Sequence, residues 1–407
     1  MSDRLVIVGA SHAAAQCCIS ARQGGWEGPI IVIGDENELP YHRPPLSKDL
    51  LSGQKAIDDI LIRPQAAYEK ADIELRLGVR VIDINPDAKT IGTDARETIA
   101  YDKLVLATGA RVRHLPVPGT DAEGVYYLRD ARDVSAIQGE ATAGKKAVII
   151  GGGYIGLETA ASLKKLGLDV TVLEAMPRIL QRVTAPELSS FYKRVHTEEG
   201  VTILEGVSAS AIEKTETGLQ VQTSCAKQYD CDLVIIGIGV IPNTELATEA
   251  GLKVGNGVEV NSFCQTSNPD IYAIGDVTWH HNPIYDCNLR LESVPNATEQ
   301  AKTAAAHING ADKPYNSLPW FWSDQFDLKL QIAGLSAGFD EIIIRGDAKT
   351  SRSFAAFYFD GDRLLAVDAV NRPREFMFAR QALGKGAKID KAKLAEDGSD
   401  LKACLLG

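Results

Sequence analysis

The stretch Ala147-Val-Ile-Ile-Gly-Gly-Gly-Tyr-Ile-Gly156 decides the fold. A short apolar run ends in a glycine-rich turn that opens a helical pattern. This arrangement aims backbone N–H groups and a helix N-terminus at a pyrophosphate. The three glycines of a dinucleotide fingerprint are all present. Gly151 serves the turn, Gly153 the close approach to phosphate and Gly156 the helix–strand packing. Tyr154 and Ile155 fill the gap between the last two. The run Leu168-Asp-Val-Thr-Val-Leu-Glu174 follows as a second strand ending in an acid. A carboxylate at that strand end suits a ribose 2′-hydroxyl and repels a 2′-phosphate, which favours NADH over NADPH. Arg178 and Arg182 lie just beyond and leave the discrimination open.

Toward the N-terminus, Leu5-Val-Ile-Val-Gly-Ala-Ser-His-Ala-Ala14 repeats the signal less strictly. Gly9 keeps the turn, but Ser11 and Ala14 stand at the second and third glycine positions. Ser11 adds a side chain where backbone should meet a pyrophosphate. Ala13 belongs to the same turn, and His12 either touches phosphate or is a turn residue. Ile30-Ile-Val-Ile-Gly-Asp35 supplies the next strand. Asp35 is a ribose candidate, the alternative being a solvated turn aspartate. Two turns of different strictness predict two nucleotides, most economically a flavin and a nicotinamide. The expected fold class is α/β, with two Rossmann-like dinucleotide-binding domains.

Further segments turn the pair of fingerprints into a resemblance. Tyr101-Asp-Lys-Leu-Val-Leu-Ala-Thr-Gly109 and Thr266-Ser-Asn-Pro-Asp-Ile-Tyr-Ala-Ile-Gly-Asp276 resemble segments of the glutathione-reductase-like FAD/NAD(P)H flavoproteins. More selective are Pro40-Tyr-His-Arg-Pro-Pro-Leu-Ser-Lys48, Glu292-Ser-Val-Pro-Asn-Ala297 and Pro319-Trp-Phe-Trp-Ser-Asp-Gln325. They resemble the bacterial NADH-dependent ferredoxin reductases that serve oxygenases, the putidaredoxin reductase-like group. The resemblance spans essentially the whole chain.

It implies tightly bound FAD, NADH as substrate and a [2Fe-2S] ferredoxin as acceptor. That ferredoxin would feed a haem monooxygenase or a ring-hydroxylating dioxygenase. It implies Lys48 near flavin N5, paired with Glu158 across the two domains, where a buried cation would stabilise the reduced anionic flavin. The alternative is two ordinary charges, with an acid favourable in a helix first turn anyway. Tyr154 would lie over the flavin and yield to nicotinamide, or else fill the core. Trp320 would flank the flavin edge and the electron exit, leaving Trp322 as core. Among the other contacts implied, Thr108 and Gly109 close the first flavin-binding section, and Val81 meets adenine through its backbone. Arg129 lies near the flavin, Asp276 and Val294 meet the ribityl chain and ring, and Glu292 reaches the nicotinamide amide. Gly239 is a further cofactor-binding position.

Other functions compete. One is a flavin NADH oxidase; another is a redox-sensing flavoprotein of the apoptosis-inducing-factor type. Disulfide reductases of this fold class place a cysteine pair in the helix after the first flavin strands, and peroxidases and oxidases a single cysteine. Residues 39–53 contain none.

The chain has 407 residues, enough for two or three domains with a sizeable core. Its net charge of −11 argues against a nucleic-acid partner. No apolar run approaches the ~20 residues that span a bilayer. Met1-Ser-Asp-Arg runs straight into a strand, leaving no signal peptide, so a cytoplasmic enzyme is expected, as a monomer or weak dimer. Ferredoxins are acidic too, so docking needs a local basic patch. Arg290, Arg372, Arg374, Arg380, Lys385 and Lys388 are candidates, a solvated charged surface being the alternative. Seven scattered cysteines without a Cys-x-x-Cys, and dispersed histidines, point to no disulfide framework and no metal. Cys17 and Cys18 read as helix-packing residues.

Since the second fingerprint interrupts the first unit, an inserted domain is expected. Residues 1–112 and 240–316 form the FAD-binding domain, residues 113–239 the NAD-binding domain, and residues 317–407 a C-terminal α+β interface domain. In the last, 326–335 reads as a strand, 354–370 as two strands around Asp360-Gly361, and 374–383 as a helix. The tail from Lys385 is expected to be loosely ordered.

Overall fold

The computed structural model describes residues 3–406. Contacts gather them into two compact units. The first holds the chain up to His42, Ile57–Arg111 and Val240–Pro319; the second holds Arg43–Ala56, Val112–Gly239 and the chain from Trp320 onward.

In the first unit, five parallel strands lie in the order Ile271–Ala273, Lys103–Leu106, Leu5–Val8, Ile30–Gly34, Ile73–Leu77. Leu5–Val8 is buried along its whole length, as a central parallel strand covered on both faces must be. The helix His12–Gln23 follows it. Its Ala14, Ala15, Cys17, Cys18 and Ala21 share one apolar cluster with Ala297, Ala301, Ala304 and Ala305 of the helix Val294–Ile308. Small side chains on both helices permit a close approach, which explains the adjacent cysteines as packing residues.

The second unit repeats the plan. Its parallel sheet runs Thr202–Glu205, Asp169–Glu174, Lys146–Ile150, Leu233–Ile236, Val125–Tyr127. Each fingerprint strand sits at the centre of its sheet, with the acid-ending strand beside it. The last strand differs: Ile271–Ala273 comes late in the chain, whereas Val125–Tyr127 precedes its fingerprint.

The same unit contains a five-stranded antiparallel sheet, ordered Trp320–Gln325, Leu328–Gly334, Arg363–Val370, Phe354–Asp360, Glu341–Gly346. The helix Pro373–Lys385 buries Phe376, Phe378, Ala379, Ala382 and Leu383. The hairpin around Asp360-Gly361 and the helix agree with expectation. The strand read over 326–335 begins at Leu328, because Phe326 adopts a left-handed φ of 54° in the turn that precedes it.

Residues 43–56 are held in the second unit by named bonds. Arg43 Nη1 donates to the Arg129 carbonyl (3.0 Å), Ser162 Oγ to the Ser47 carbonyl (2.7 Å), and Gln138 Nε2 to the Leu50 carbonyl (2.6 Å).

The tail from Lys385 is packed, contrary to expectation. Lys388–Ile389 pairs with Leu405–Leu406, and Leu394 and Cys404 are fully buried. The buried Arg345 is the reason. Its Nη1 donates to the carbonyls of Leu394 (3.1 Å) and Glu396 (2.6 Å) and to Ser399 Oγ (2.8 Å); its Nη2 donates to the Ser399 carbonyl (2.6 Å). Composition alone hides this, since the partners are backbone carbonyls. Arg345→Leu should therefore free the tail. Loss of these charge-assisted bonds, about 1.5–3 kcal/mol each when buried, should make residues 388–404 the first site of limited proteolysis. An unchanged digestion pattern would refute the role of Arg345.

Candidate functional site

Two glycine-rich turns set the scene. In the second unit, Gly151 has φ +116°, and a Cβ there would collide with the Gly237 carbonyl. A Cβ on Gly156 would collide with the Gly151 carbonyl. At Gly153 nothing lies within 4 Å of an added Cβ, and no side chain caps the helix Tyr154–Lys165 that starts there. An open cradle beneath unclaimed helix N–H groups fits a dinucleotide pyrophosphate. Glu174 closes the strand Asp169–Glu174. Its Oε2 accepts from the Gly152 N–H and its Oε1 from the Met176 N–H, both at 2.7 Å. Ile155 is exposed beside the turn, and Gly239 has φ +104°.

In the first unit, Gly9 has φ +110° and would collide with the Ala107 carbonyl if it bore a Cβ. Ser11 is the extended N-cap residue, φ −121°, and its side chain makes no capping hydrogen bond. Ala13 and Ala14 are buried, and His12 Nε2 lies 3.2 Å from His42 Nδ1. Because the strands Leu5–Val8, Lys103–Leu106 and Ile271–Ala273 are parallel neighbours, the turns after them share one sheet edge, where such folds bind ligands. Thr108 Oγ1 donates to the Asn243 carbonyl (2.9 Å), Asn243 Nδ2 returns to the Thr108 carbonyl (2.8 Å), and Gly109 has φ +61°. Asp276 lies in the tight turn Gly275–Val277, whose Gly275 N–H is held by Gln300 Oε1 at 2.7 Å. Val294 opens its helix at the Ser293 N-cap, Val81 is buried in the strand Val81–Asn85, and Asp35 pairs with Arg80 at 2.9 Å. Exposed Glu292 pairs with Arg290.

The second unit also brings together the two charges singled out in the sequence. Lys48 Nζ lies 2.6 Å from Glu158 Oε2, with side-chain exposures of 15% and 2%. Lys48 follows the tight turn Pro44–Ser47 and also donates to the Pro44 carbonyl (3.1 Å). Sequence reading missed two further donors to Glu158: Ser47 Oγ on Oε2 (2.5 Å) and Ser323 Oγ on Oε1 (2.6 Å). Ser323 lies in the Pro-Trp-Phe-Trp-Ser-Asp-Gln segment, and strand alternation puts it on the face of Phe321 and Gln325. That period was the available signal.

Tyr154 is half-buried, with its ring 5.0 Å from Phe321. Its hydroxyl is inside the protein, and burial pushes the phenol well above its ordinary range. Nearby Asp368 is buried without a cation, and burial lifts it to about 6, although Tyr358 and Thr184 hydroxyls donate to it at 2.6 and 2.7 Å. Trp320 is half-buried under the Arg380 guanidinium, 5.3 Å from the ring. Trp322 is half-buried as well, not core, because the rings meet at 5.5 Å along one strand face. Arg129 N–H donates to Asp133 Oδ2 at 2.7 Å. Of the basic candidates, Arg290 is matched by Glu292 and Arg372 by Asp397 and Glu375. Arg374, Arg380, Lys385 and Lys388 are exposed. Among the described residues, no group of three His, Cys, Asp or Glu side chains is placed to hold a metal, and the cysteines are free thiols.

Residues 3–301 match the family described as pyridine nucleotide-disulphide oxidoreductase, and residues 320–405 match the reductase C-terminal family. The chain belongs to the pyridine nucleotide-disulphide oxidoreductase family. Within it, the chain stands with the putidaredoxin reductase-like ferredoxin reductases. It is 42% identical over 402 residues to the 5,5'-dehydrodivanillate O-demethylase ferredoxin reductase subunit of a Sphingobium species, covering 98% of this chain and 97% of that one. It is 41% identical over 407 residues to putidaredoxin reductase of Pseudomonas putida, covering 98% and 96%. The structure of a covalent putidaredoxin reductase–putidaredoxin complex superposes with a TM-score of 0.95, at 41% identity, covering 99% and 98%. Membership in this family implies a flavin and NAD(H), which the two cradles fit.

Burial also holds His196 and His280 near 4, below their ordinary 6.5, so both are neutral in the fold. The unfolded chain takes up those protons below about pH 6.5. Their contribution to stability is therefore full above about pH 6.5 and falls as pH drops toward 4. Urea unfolding of His196→Gln should lose about 2 kcal/mol less than wild type between pH 7 and 4.5. Parallel losses would show that His196 is not buried neutral.

Proposed function

We propose that the chain is an FAD-dependent NADH:ferredoxin reductase, passing electrons one at a time to a [2Fe-2S] ferredoxin that feeds an oxygenase. The observation that carries this reading lies in the Pro44–Ser47 turn. Residues 39–53, where disulfide reductases of this fold class place a cysteine pair, contain no cysteine here, and Lys48, just after the turn, lies 2.6 Å from Glu158. The site is built for charge, not for thiol exchange.

A bound flavin supplies the conversion between a two-electron hydride and single electrons. The protein supplies binding, orientation and field. Residues 1–112 and 240–316 bind FAD tightly, through Gly9, Ser11, His12, Ala13, Ala14, Asp35, Val81, Thr108, Gly109, Asp276 and Val294. Residues 113–239 bind NADH through Gly151, Gly153, Ile155, Gly156, Glu174 and Gly239, with Arg129 and Glu292 as further cofactor contacts. Lys48 is the cation that tunes the flavin, and Glu158 its counter-charge. Tyr154 yields to nicotinamide, and Trp320 flanks the electron exit. Residues 317–407 form the interface to the ferredoxin. Exposed Arg374, Arg380, Lys385 and Lys388 are the candidates for docking an acidic partner on this acidic chain, since local potential rather than net charge steers association.

NADH preference has support beyond Glu174. Arg178 is engaged locally, Nη1 with Ser189 Oγ (2.5 Å) and Nη2 with the Gln181 carbonyl (3.1 Å), so it is not waiting for a 2′-phosphate. NADH should exceed NADPH by about 100-fold in kcat/KM, since a carboxylate facing a phosphate costs several kcal/mol. Comparable values for the two would refute the assignment of Glu174. A cytoplasmic location fits this reading, since NADH is regenerated there.

Anaerobic stopped-flow mixing of the yellow protein with NADH, then with oxidised [2Fe-2S] ferredoxin, tests the whole reading. Fast bleaching followed by fast reoxidation by ferredoxin is expected. Reoxidation by air alone would point to an oxidase or a redox sensor instead. Lys48→Met should slow flavin reduction by about tenfold or more, the effect of roughly 1.4 kcal/mol on the barrier.

A further inference from the structure

Glu158 has a donor that neither the fingerprint nor the ion pair requires. We propose that Ser323, oriented by Gln325 and His196, is a positioning residue that fixes the Glu158 carboxylate and so sets how much of the Lys48 charge the flavin feels. The proposal rests on the reading that Lys48 tunes the flavin.

Direction is the first argument. His196 Nε2 lies 2.8 Å from Gln325 Oε1, an atom that only accepts, so Nε2 carries the ring proton. Gln325 Nε2 donates to Ser323 Oγ at 3.1 Å. That donation occupies a lone pair of the serine, whose single proton goes to Glu158 Oε1 at 2.6 Å. Each link in the chain therefore points toward the carboxylate, and aligned hydrogen bonds polarise one another.

Burial is the second argument. His196 and Ser323 are fully buried and Gln325 is 1% exposed, so bulk water does not compete for these groups. Burial keeps His196 neutral near physiological pH, so its single ring proton is the one it gives to Gln325.

The two oxygens of the carboxylate are divided between different donors. Oε2 takes Lys48 and Ser47, while Oε1 takes Ser323. With Oε1 engaged, the ammonium meets one oxygen only. Without Ser323, a buried oxygen loses its donor and the carboxylate turns toward Lys48, drawing the cation into a two-point contact. The arm therefore limits the neutralisation of Lys48 by its own partner.

The test compares Ser323→Ala, Ser323→Thr, Gln325→Met and Lys48→Met in the FAD-bound protein. The readouts are the midpoint potential of the bound FAD, the limiting rate of anaerobic reduction by NADH, and the NADH KM. Ser323→Ala should make the potential more negative and lower the limiting rate by about tenfold, with KM within about twofold, as expected for losing a hydrogen bond to a charged group. Ser323→Thr, which keeps the hydroxyl, should restore both, and Gln325→Met should move both in the same direction as Ser323→Ala by less. A normal potential and rate with a lowered unfolding midpoint would reduce Ser323 to core packing and overturn the proposal. So would a change in KM alone. If Ser323→Ala does not fold, Gln325→Met decides by the same criteria. Should Lys48→Met also leave the potential unmoved, the reading of the ion pair has failed; should only the arm variants be silent, this inference alone falls.

Discussion

A carboxylate taken out of water needs donors, and Glu158 obtains them from two parts of the chain far from its own helix. Lys48 and Ser47 come from the Pro44 turn, Ser323 comes from a strand about 165 residues further on, and Glu158 itself sits in the fingerprint helix. Leaving such a group unpaired costs several kcal/mol, so these segments must be in register for the second unit to form. The same demand explains why the Arg43–Ala56 stretch belongs with the second unit, although its neighbours in sequence belong to the first. The charge pair ties together segments distant in sequence within one unit.

The two parallel sheets show what local sequence can encode. Each fingerprint strand is central because it is apolar on both faces, and each glycine turn follows from one strand feeding one helix. Both fingerprints, both acid-ending strands and the late hairpin could therefore be read within a window of some thirty residues. The insertion could be read as well, since the second fingerprint begins before the first sheet has received its last strand.

What could not be read depends on partners distant in sequence. Nothing near Ser323 announces that its hydroxyl meets a glutamate on another element. The tail from Lys385 looks disordered by composition because its anchor, Arg345, grips backbone carbonyls that any sequence would offer. Trp322 looks like core beside Trp320, yet the two stack half-exposed on one strand face. Arg290 and Arg372 look like docking charges until their carboxylate partners are seen. In each case the residue type was informative and its partner was not.

The departures of the first fingerprint from the ideal have a physical account of the same kind. In the second turn the helix lies so close to the strand that a Cβ at Gly156 would overlap the Gly151 carbonyl. Ala14 occupies the equivalent position of the first turn and is fully buried, so that turn accommodates a methyl group where the second leaves no room for one. The turn glycine has no such latitude: Gly9 and Gly151 both hold a positive φ with a facing carbonyl, and both are kept. Ser11 is tolerated because its backbone is extended and its side chain leaves the helix N–H groups uncapped. The fingerprint is therefore two constraints of different strength. The turn demands glycine outright, whereas the packing glycine is needed only where the helix comes closest to its strand.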